Sequence, residues 1–318
     1  MPSSYGFLKN SAPALTLMSI DLGSNALRAS IGRLEKNVLS ILYSQRIPLR
    51  LGEDVFGSGV ISTLKKQKTI EAFLSLFYLC IEYGVTDVSA VATSAMREAK
   101  NSQEIIQEIE SLTGIKIELI SGLREAKLLF TACSKVIEFK NKSAVLIDIG
   151  GGSTEITLVK QNRRIASRSF PIGTVRLLKH TNRDFLLNRI KTEVKEMEKF
   201  IENYLSVKKI NLFVGTGGNL RRIGKMRKKI LLKPETECTF DEVSHMSQTL
   251  HAMTYIERIR KLELDQDRAD VIVPATMIIE RLMKNLNLKK IQLPKVGLKE
   301  GLFLEMLNDE KIIFHGLD

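Results

Sequence analysis

The chain reads as an α/β layered protein built of two related lobes, and three observations carry that reading. Runs of apolar, often β-branched residues alternate with segments whose apolar residues recur every three or four positions, the pattern of strands interleaved with amphipathic helices. An acid followed by a glycine turn, with strand-like runs on both sides, occurs at Asp21 and again at Asp148, 127 residues later, and marks an internal duplication. At 318 residues the chain exceeds one average domain and suits two, each large enough to bury its own core.

In the first half, TLMSIDLG and ALRASIGRLE read as strands joined by the turn DLGSNA, with VLSILYS as a third strand. KKQKTIEAFLSLFYLCIEYG carries Ile70, Phe73, Leu74, Phe77 and Ile81 at helical spacing and stops at Gly84. The strand DVSAVAT, the helix SQEIIQEIESLTG ending at Gly114, and the strand IKIELI follow. The second half restarts with SAVLIDIGGGSTEITLVK and RRIASRSFPIG as strands around a glycine turn. A helix over about residues 184–206 then places Leu186, Ile190, Val194, Met197, Ile201 and Leu205 on one face. A further strand and glycine turn, LFVGTGGNLRRI, precede a helical C-terminal region that contains the strand-like ADVIVPA. No Pro- or Ser-rich linker is visible, so the repeat sets the lobe boundary near residue 125.

Hydrophobic residues make up 44% of the chain, enough for folded lobes and too many for a disordered one. No run approaches the roughly 18 to 20 apolar residues of a membrane span, so no membrane association is expected. The N-terminal MPSSYGFLKNSAPALTLMSI has one lysine and no sustained apolar core, so it reads as a short extension and not a signal peptide. The cytoplasm is the expected compartment. Cys80, Cys133 and Cys238 are odd in number and far apart, and His180, His245, His251 and His315 are scattered; neither a disulfide framework nor a zinc site is supported. The formal net charge of +12 draws anionic partners, whether nucleic acid, a membrane surface or a polyphosphorylated small molecule.

The two acid-glycine turns narrow that choice. A strand that ends in Asp-x-Gly and turns into another strand exposes several backbone N–H groups, which glycine allows to converge on an anion. Ser24, Asn25, Ser153 and Thr154 add side-chain donors. A lone turn of this kind is most often an ordinary β-turn; two in duplicated contexts, with a third at Gly215 to Gly218, argue for a grip on a chain of phosphates. The aspartates would repel phosphate unless a divalent cation lies between them, which implies Mg2+.

DLGSNALR, ATSAMREAKN, LISGLREAKLLF, LIDIGGGSTEITLV, FPIGTVRL, VGTGGNLRRIGK and VGLKEGLFLEML occur in the order and approximate spacing of the exopolyphosphatase/guanosine pentaphosphate phosphatase family. The chain resembles a short member of it, from about residue 17 to 307. The resemblance implies the actin-like ATPase fold, two lobes of ribonuclease-H-like topology with the site in the cleft between them. It sets the lobes at residues 1–125, completed by 300–318, and 126–299. Longer relatives carry a further helical domain at the C-terminus, which this chain is expected to lack. The implied substrates are inorganic polyphosphate and guanosine penta- or tetraphosphate, the implied cofactor is Mg2+, and family members are often homodimers.

By the same resemblance, Glu125 in ISGLREA matches the general base for the attacking water. Asp148 and Glu155 in DIGGGSTE match acids around Mg2+ and the scissile phosphate, and Asn25 and Arg97 match phosphate contacts. Gly23, Ser24, Ser94, Gly150, Gly151, Gly152, Ser153, Thr154, Gly217 and Gly218 complete the expected phosphate-binding set. Arg124 stands where the family usually has a second glutamate, and a cation there is expected to lower the basicity of Glu125. Two other readings stay open: a kinase or ATPase of the same fold, and a non-catalytic sensor of guanosine tetra- or pentaphosphate or of polyphosphate. The basic run RRIGKMRKK, residues 221–229, reads as a guide for a long polyanion or as a solvated helix face; without interleaved aromatics it does not support nucleic-acid binding.

Overall fold

The computed structural model describes residues 15–179, 183–308 and 312–315. The N-terminal extension as far as residue 14, and His180, lie outside the described residues. Twelve strands form two six-stranded sheets among the described residues. In the first sheet, β1 (Leu15–Leu22), β2 (Leu27–Glu35) and β3 (Val38–Ile47) make an antiparallel meander. β4 (Asp87–Ala92) lies parallel to β1, and β5 (Ile117–Leu119) parallel to β4. The second sheet repeats the plan with β6 (Ser143–Ile149), β7 (Thr154–Lys160), β8 (Arg163–Phe170) and β9 (Leu212–Thr216); β10 (Glu237–Thr239) and β11 (Lys290–Gln292) extend it beyond β9. β12 (Ile313–His315) returns to the first sheet and pairs with β3. The shared order, a three-stranded meander whose first strand then takes a parallel neighbour, is the ribonuclease-H-like plan that the family resemblance implied, and its repetition is the duplication that the acid-glycine turns marked.

Local sequence explains these elements. β1 and β6 are buried on both faces, and so their sequences are continuous apolar runs; β3, with alternating burial, is not. The helices Thr63–Tyr83 and Ser102–Thr113 stop at Gly84 and Gly114 as the pattern predicts. The helix Arg183–Glu202 presents Ile190, Val194, Met197 and Ile201 to the core of the second lobe, and Leu205 follows into the same cluster. ADVIVPA, expected as a strand, instead leads into the helix Ile272–Asn285. Pro274 falls in the first turn, where a missing N–H costs no intrahelical bond, and Ile278, Ile279, Leu282 and Met283 then continue with helical spacing.

Two helices matter for the space between the sheets. Gly122–Cys133, which contains residue 125, packs on β7 and β8 and also on the helix Leu298–Leu307. Leu298–Leu307 packs in turn on β1 and β4. No helix among the described residues is long and apolar enough to cross a membrane.

Candidate active site

At the end of β1, Asp21 stands directly opposite Arg28 in the β1–β2 register, and Arg28 Nη1 donates to Asp21 Oδ2 at 3.1 Å. The turn between them closes through the Gly23 N–H, which donates to the Ala26 carbonyl at 3.1 Å. The carbonyls of Ser24 and Asn25 accept from the N–H groups of Gly52 and Arg50 at 2.8 and 2.9 Å, so the chain after β3 braces the turn from behind. Ser24 Oγ pairs with Ser94 Oγ at 2.8 Å and accepts from the Ala95 N–H at 3.1 Å.

The second lobe offers the matching turn. Asp148 faces Glu155 across the β6–β7 ladder, and the Gly150 N–H donates to the Ser153 carbonyl at 2.9 Å. The Gly150 carbonyl accepts from the Thr174 N–H, and the Gly151 carbonyl from the Val175 and Arg176 N–H groups, which fixes the triple glycine on the FPIGTVRL segment. A Cβ on Gly152 would lie 2.2 Å from Ser94 Oγ and 2.4 Å from the Phe56 ring, and one on Gly151 would lie 3.0 Å from Ser24 Cβ. The two turns therefore abut, and the absence of side chains is what lets them do so. Below them the helix Gly217–Leu231 begins with Gly217 at φ 80°, where a Cβ would sit 1.8 Å from Asp148 Oδ1. The third glycine motif is thus a helix N-terminus set against an acid.

These pieces line a cleft of about 950 Å³, including the solvent at its mouth. Gly23, Ser24, Asn25, Ser94, Glu125, Asp148, Gly150, Gly151, Ser153, Gly217 and Gly218 all contribute to its wall. Four expected site residues sit behind it. Gly152 is covered by Ser94 and Phe56. Thr154 donates its hydroxyl to the Ile172 carbonyl at 2.7 Å. Glu155 accepts from Ser169 Oγ at 2.7 Å. Arg97 donates to the Ile120 carbonyl at 2.7 Å.

The acids share one buried field. Burial foremost, then Glu155, pushes the Asp148 carboxyl up to about 7, with Arg28 opposing. Burial and the charges of Glu155, Asp148 and Asp21 hold Glu125 well above the usual carboxylate range, against the pull of Arg97. Burial likewise raises Glu155 and Asp21. Glu125 Oε2 is buried and has no hydrogen-bond partner. Carboxyl groups displaced in this way in and just behind a cleft mark it as a candidate functional site.

A model of the Ppx/GppA phosphatase family matches residues 30–310. The chain belongs to the Ppx/GppA phosphatase family. Among curated relatives it is 28% identical to the bifunctional 3-dehydroquinate synthase/phosphatase of Fusobacterium nucleatum over 83% of this chain and 42% of that protein. It is 24% identical to exopolyphosphatase 1 of Mycobacterium tuberculosis over 92% of this chain and 88% of that one. The chain thus spans less than half of the first relative and most of the second. Among solved structures, an exopolyphosphatase from Cytophaga hutchinsonii superposes with a TM-score of 0.84 at 24% identity, covering 92% of this chain and 98% of that one. The Aquifex aeolicus family member superposes with a TM-score of 0.76 at 23% identity, covering 93% and 98%. Both show the same fold.

Within this Ppx/GppA family member the structure adds the cations Arg28, Arg268 and Lys299, which sequence reading had not assigned to the site; with Arg221, from the basic run, they line the cleft. Arg28 had a legible signal, since the strand position paired with the turn acid follows from a tight hairpin, and Lys299 lies within the block VGLKEGLFLEML; Arg268 had none, because it arrives from far along the chain. Arg268 is crowded by burial and by Arg46, Arg28 and Arg222, which push its guanidinium down to about 9.

The basic run does not act as one surface. Arg221, Arg222 and Lys225 share a recess with Arg28 and Arg268. Arg227 points the other way, 6% exposed, with Nε and Nη2 on the Glu242 carboxylate at 2.9 and 3.1 Å, and Lys229 pairs with Glu263. Helical geometry divides the run, since positions 221, 222 and 225 share a face that 227 leaves. The expected effect of Arg124 on Glu125 is also corrected. Arg124 turns outward to a two-pronged pair with Glu305 and to Glu118 at 3.4 Å, while Glu125 points inward and its carboxyl is raised, not lowered.

Proposed function

We propose that this chain hydrolyses terminal phosphoanhydride bonds and releases phosphate from inorganic polyphosphate or guanosine pentaphosphate. The position of Glu125 carries this reading: a buried carboxylate with an unpartnered oxygen, in a cleft whose other walls are two abutting phosphate turns. A water between Glu125 and the terminal phosphorus passes its proton to the carboxylate as its oxygen attacks, and the bond from phosphorus to the rest of the chain breaks. The backbone N–H groups of the glycine turns and the cations Arg28, Arg221, Arg268 and Lys299 offset the charge on the phosphate oxygens. Relatives named exopolyphosphatase and guanosine-5'-triphosphate,3'-diphosphate pyrophosphatase support the substrate class. Arg124, the departure that left a non-catalytic sensor open, pairs with Glu305, which supports the hydrolase reading.

Mg2+ fits the donors present. Asp148 is a cleft-lining carboxylate in excess negative charge, with Glu155 behind it, and an added divalent cation would offset that charge. Mg2+ takes one or two carboxylates and otherwise water and phosphate oxygens, a set that a cleft with Asp148 in its wall can offer together with a phosphorylated substrate. Asp148 would hold it, and when bound it would supply charge neutralisation at the scissile phosphate.

The test is phosphate release from long polyphosphate, tripolyphosphate, guanosine pentaphosphate and ATP, side by side, with Mg2+ and with chelator. Turnover of the first three exceeding that of ATP, and lost in chelator, is the expected result. Turnover of ATP alone would point to an ATPase or kinase of the same fold.

A further inference from the structure

The cleft is bridged on one side by opposite charges. From the first lobe, Arg46 near the end of β3 reaches the single helical turn Gln266–Ala269 of the second lobe, and Arg50 just beyond β3 reaches Asp270, which follows that turn. Arg46 Nη1 donates to Asp267 Oδ1 at 3.1 Å and Nη2 donates to Oδ2. Arg50 Nη2 and Nη1 donate to Asp270 Oδ2 and Oδ1 at 2.6 and 3.3 Å. Both are two-pronged guanidinium–carboxylate pairs, a geometry that fixes orientation as well as distance.

Each end of this bridge is anchored to something the site needs. In the first lobe, the backbone of Arg50 is bonded to the Asn25 carbonyl, so the segment that carries the arginine also braces the phosphate turn. Asn25 joins the bridge itself, its Nδ2 donating to the Asp267 carbonyl at 3.0 Å and to Oδ2 at 3.2 Å. In the second lobe, Tyr255 Oη donates to the Gln266 carbonyl at 3.0 Å, and Arg258 Nη1 donates to the Ala269 carbonyl at 2.5 Å. Asp270 Oδ1 accepts from the Val271 N–H at 2.7 Å, just before the core helix Ile272–Asn285. Between the two aspartates lies Arg268, which lines the cleft.

Charge sets this bridge against the contents of the cleft. Arg28 from the first lobe shares its recess with Arg221, Arg222, Lys225 and Arg268 from the second, and these repel until an anion lies among them. Opening the lobes rehydrates Arg46, Arg50, Asp267 and Asp270, and pairs drawn from water return little net free energy. Closure is therefore finely balanced, and an anion that binds both walls favours it.

We propose that Asp267 and Asp270 are positioning residues: by clasping Arg46, Arg50 and Asn25 across the cleft they hold the lobes closed and set the DLGSN turn and Arg268 around an anionic substrate. The kinetic half of this inference rests on the hydrolase reading; closure does not.

Small-angle X-ray scattering on the full chain, with and without tripolyphosphate, measures closure directly. The variants are Asp267→Asn, Asp270→Asn, Arg50→Gln and the Arg50→Gln/Asp270→Asn pair. Without ligand each is expected to show a larger radius of gyration than the wild type, and saturating tripolyphosphate to reduce it. KM for tripolyphosphate should rise on the order of tenfold with kcat changed less than about threefold. The double variant should lose no more than either single one, as coupled partners do. Asp270→Glu, which keeps the charge, should retain a near-native KM, and it carries the test if Asp267→Asn fails to fold. Unchanged scattering and KM in Asp270→Asn, or additive losses in the double variant, would overturn the clasp. A wild-type protein that releases phosphate from none of the substrates would overturn the hydrolase reading instead, and the scattering would still decide the clasp.

Discussion

Asp148 stands directly opposite Glu155 across the β6–β7 ladder, at the place where Asp21 in the first lobe faces Arg28. The duplication thus kept the acid at the end of each central strand and changed its neighbour, giving one lobe a neutralised pair and the other two buried carboxylates. That asymmetry gives the second turn its excess negative charge.

It also makes stability depend on pH. The Asp148 carboxyl is pushed from its ordinary 3.8 up to about 7, so the native state holds a proton that the unfolded chain releases. The resulting stabilisation is complete below about pH 4 and is lost as the pH rises through about 7. Metal-free protein should therefore melt at a lower temperature at pH 8 than at pH 5.5, and Mg2+ should restore the difference. Asp148→Asn should raise metal-free stability at pH 8 on the order of 1–3 kcal/mol and abolish the response to Mg2+. Thermal unfolding in chelator and in excess Mg2+ checks both; a variant that Mg2+ still stabilises as it does the wild type would locate the ion elsewhere.

Glu125→Gln keeps the shape of the side chain and removes the proton acceptor. Turnover should fall by roughly 10² to 10⁴ with KM little changed. Steady-state phosphate release measures this, and near-native turnover would exclude Glu125 as the base.

The divided basic run yields opposite outcomes on its two faces. Changing Arg221, Arg222 and Lys225 to Gln should weaken long polyphosphate by about tenfold or more and flatten the salt dependence of its binding. Arg227→Gln should leave that affinity alone and destabilise the fold by roughly 3 kcal/mol, the low end for a broken buried pair. Lys233 still reaches Glu242 at 2.8 Å and softens the loss. Titration at several salt concentrations, paired with urea unfolding, separates the two; equal effects of both changes on binding would contradict the division.

Gly217→Ala should cost both stability and turnover, because the new Cβ would meet Asp148 Oδ1 at a φ that L side chains rarely adopt. Gly84→Ala is the control: its φ is also positive, at 60°, but nothing lies within 4 Å, so only the backbone strain remains. Comparing unfolding free energies and kcat for the two isolates the contribution of the Asp148 contact. Identical losses would mean that contact has no role.

The strands and most helices were legible because their information is local. Continuous apolar runs identified β1 and β6, three- and four-residue spacing identified Thr63–Tyr83, and Gly84 and Gly114 marked helix ends. Where local signals conflicted, the reading failed: VIVP has strand-like composition, yet Pro274 is tolerated at the start of a helix that the following residues specify. The two acid-glycine turns were legible for the same reason, since each motif is contiguous; Asp21, Gly23, Asp148, Gly150 and Gly151 line the cleft, whereas Gly152 lies behind it.

The sequence by itself determined the α/β class and the two acid-glycine turns, and the family resemblance it carries pointed to Glu125. Only the tertiary structure decided what those groups meet. That Asn25 bonds to Asp267, 242 residues away, that Arg268 enters the cleft, and that Arg227 leaves it for Glu242 depend on how the two sheets and their helices pack. Periodicity shows which face of an element is buried, whereas the partner on the other side comes from a distant segment whose approach no local spacing encodes.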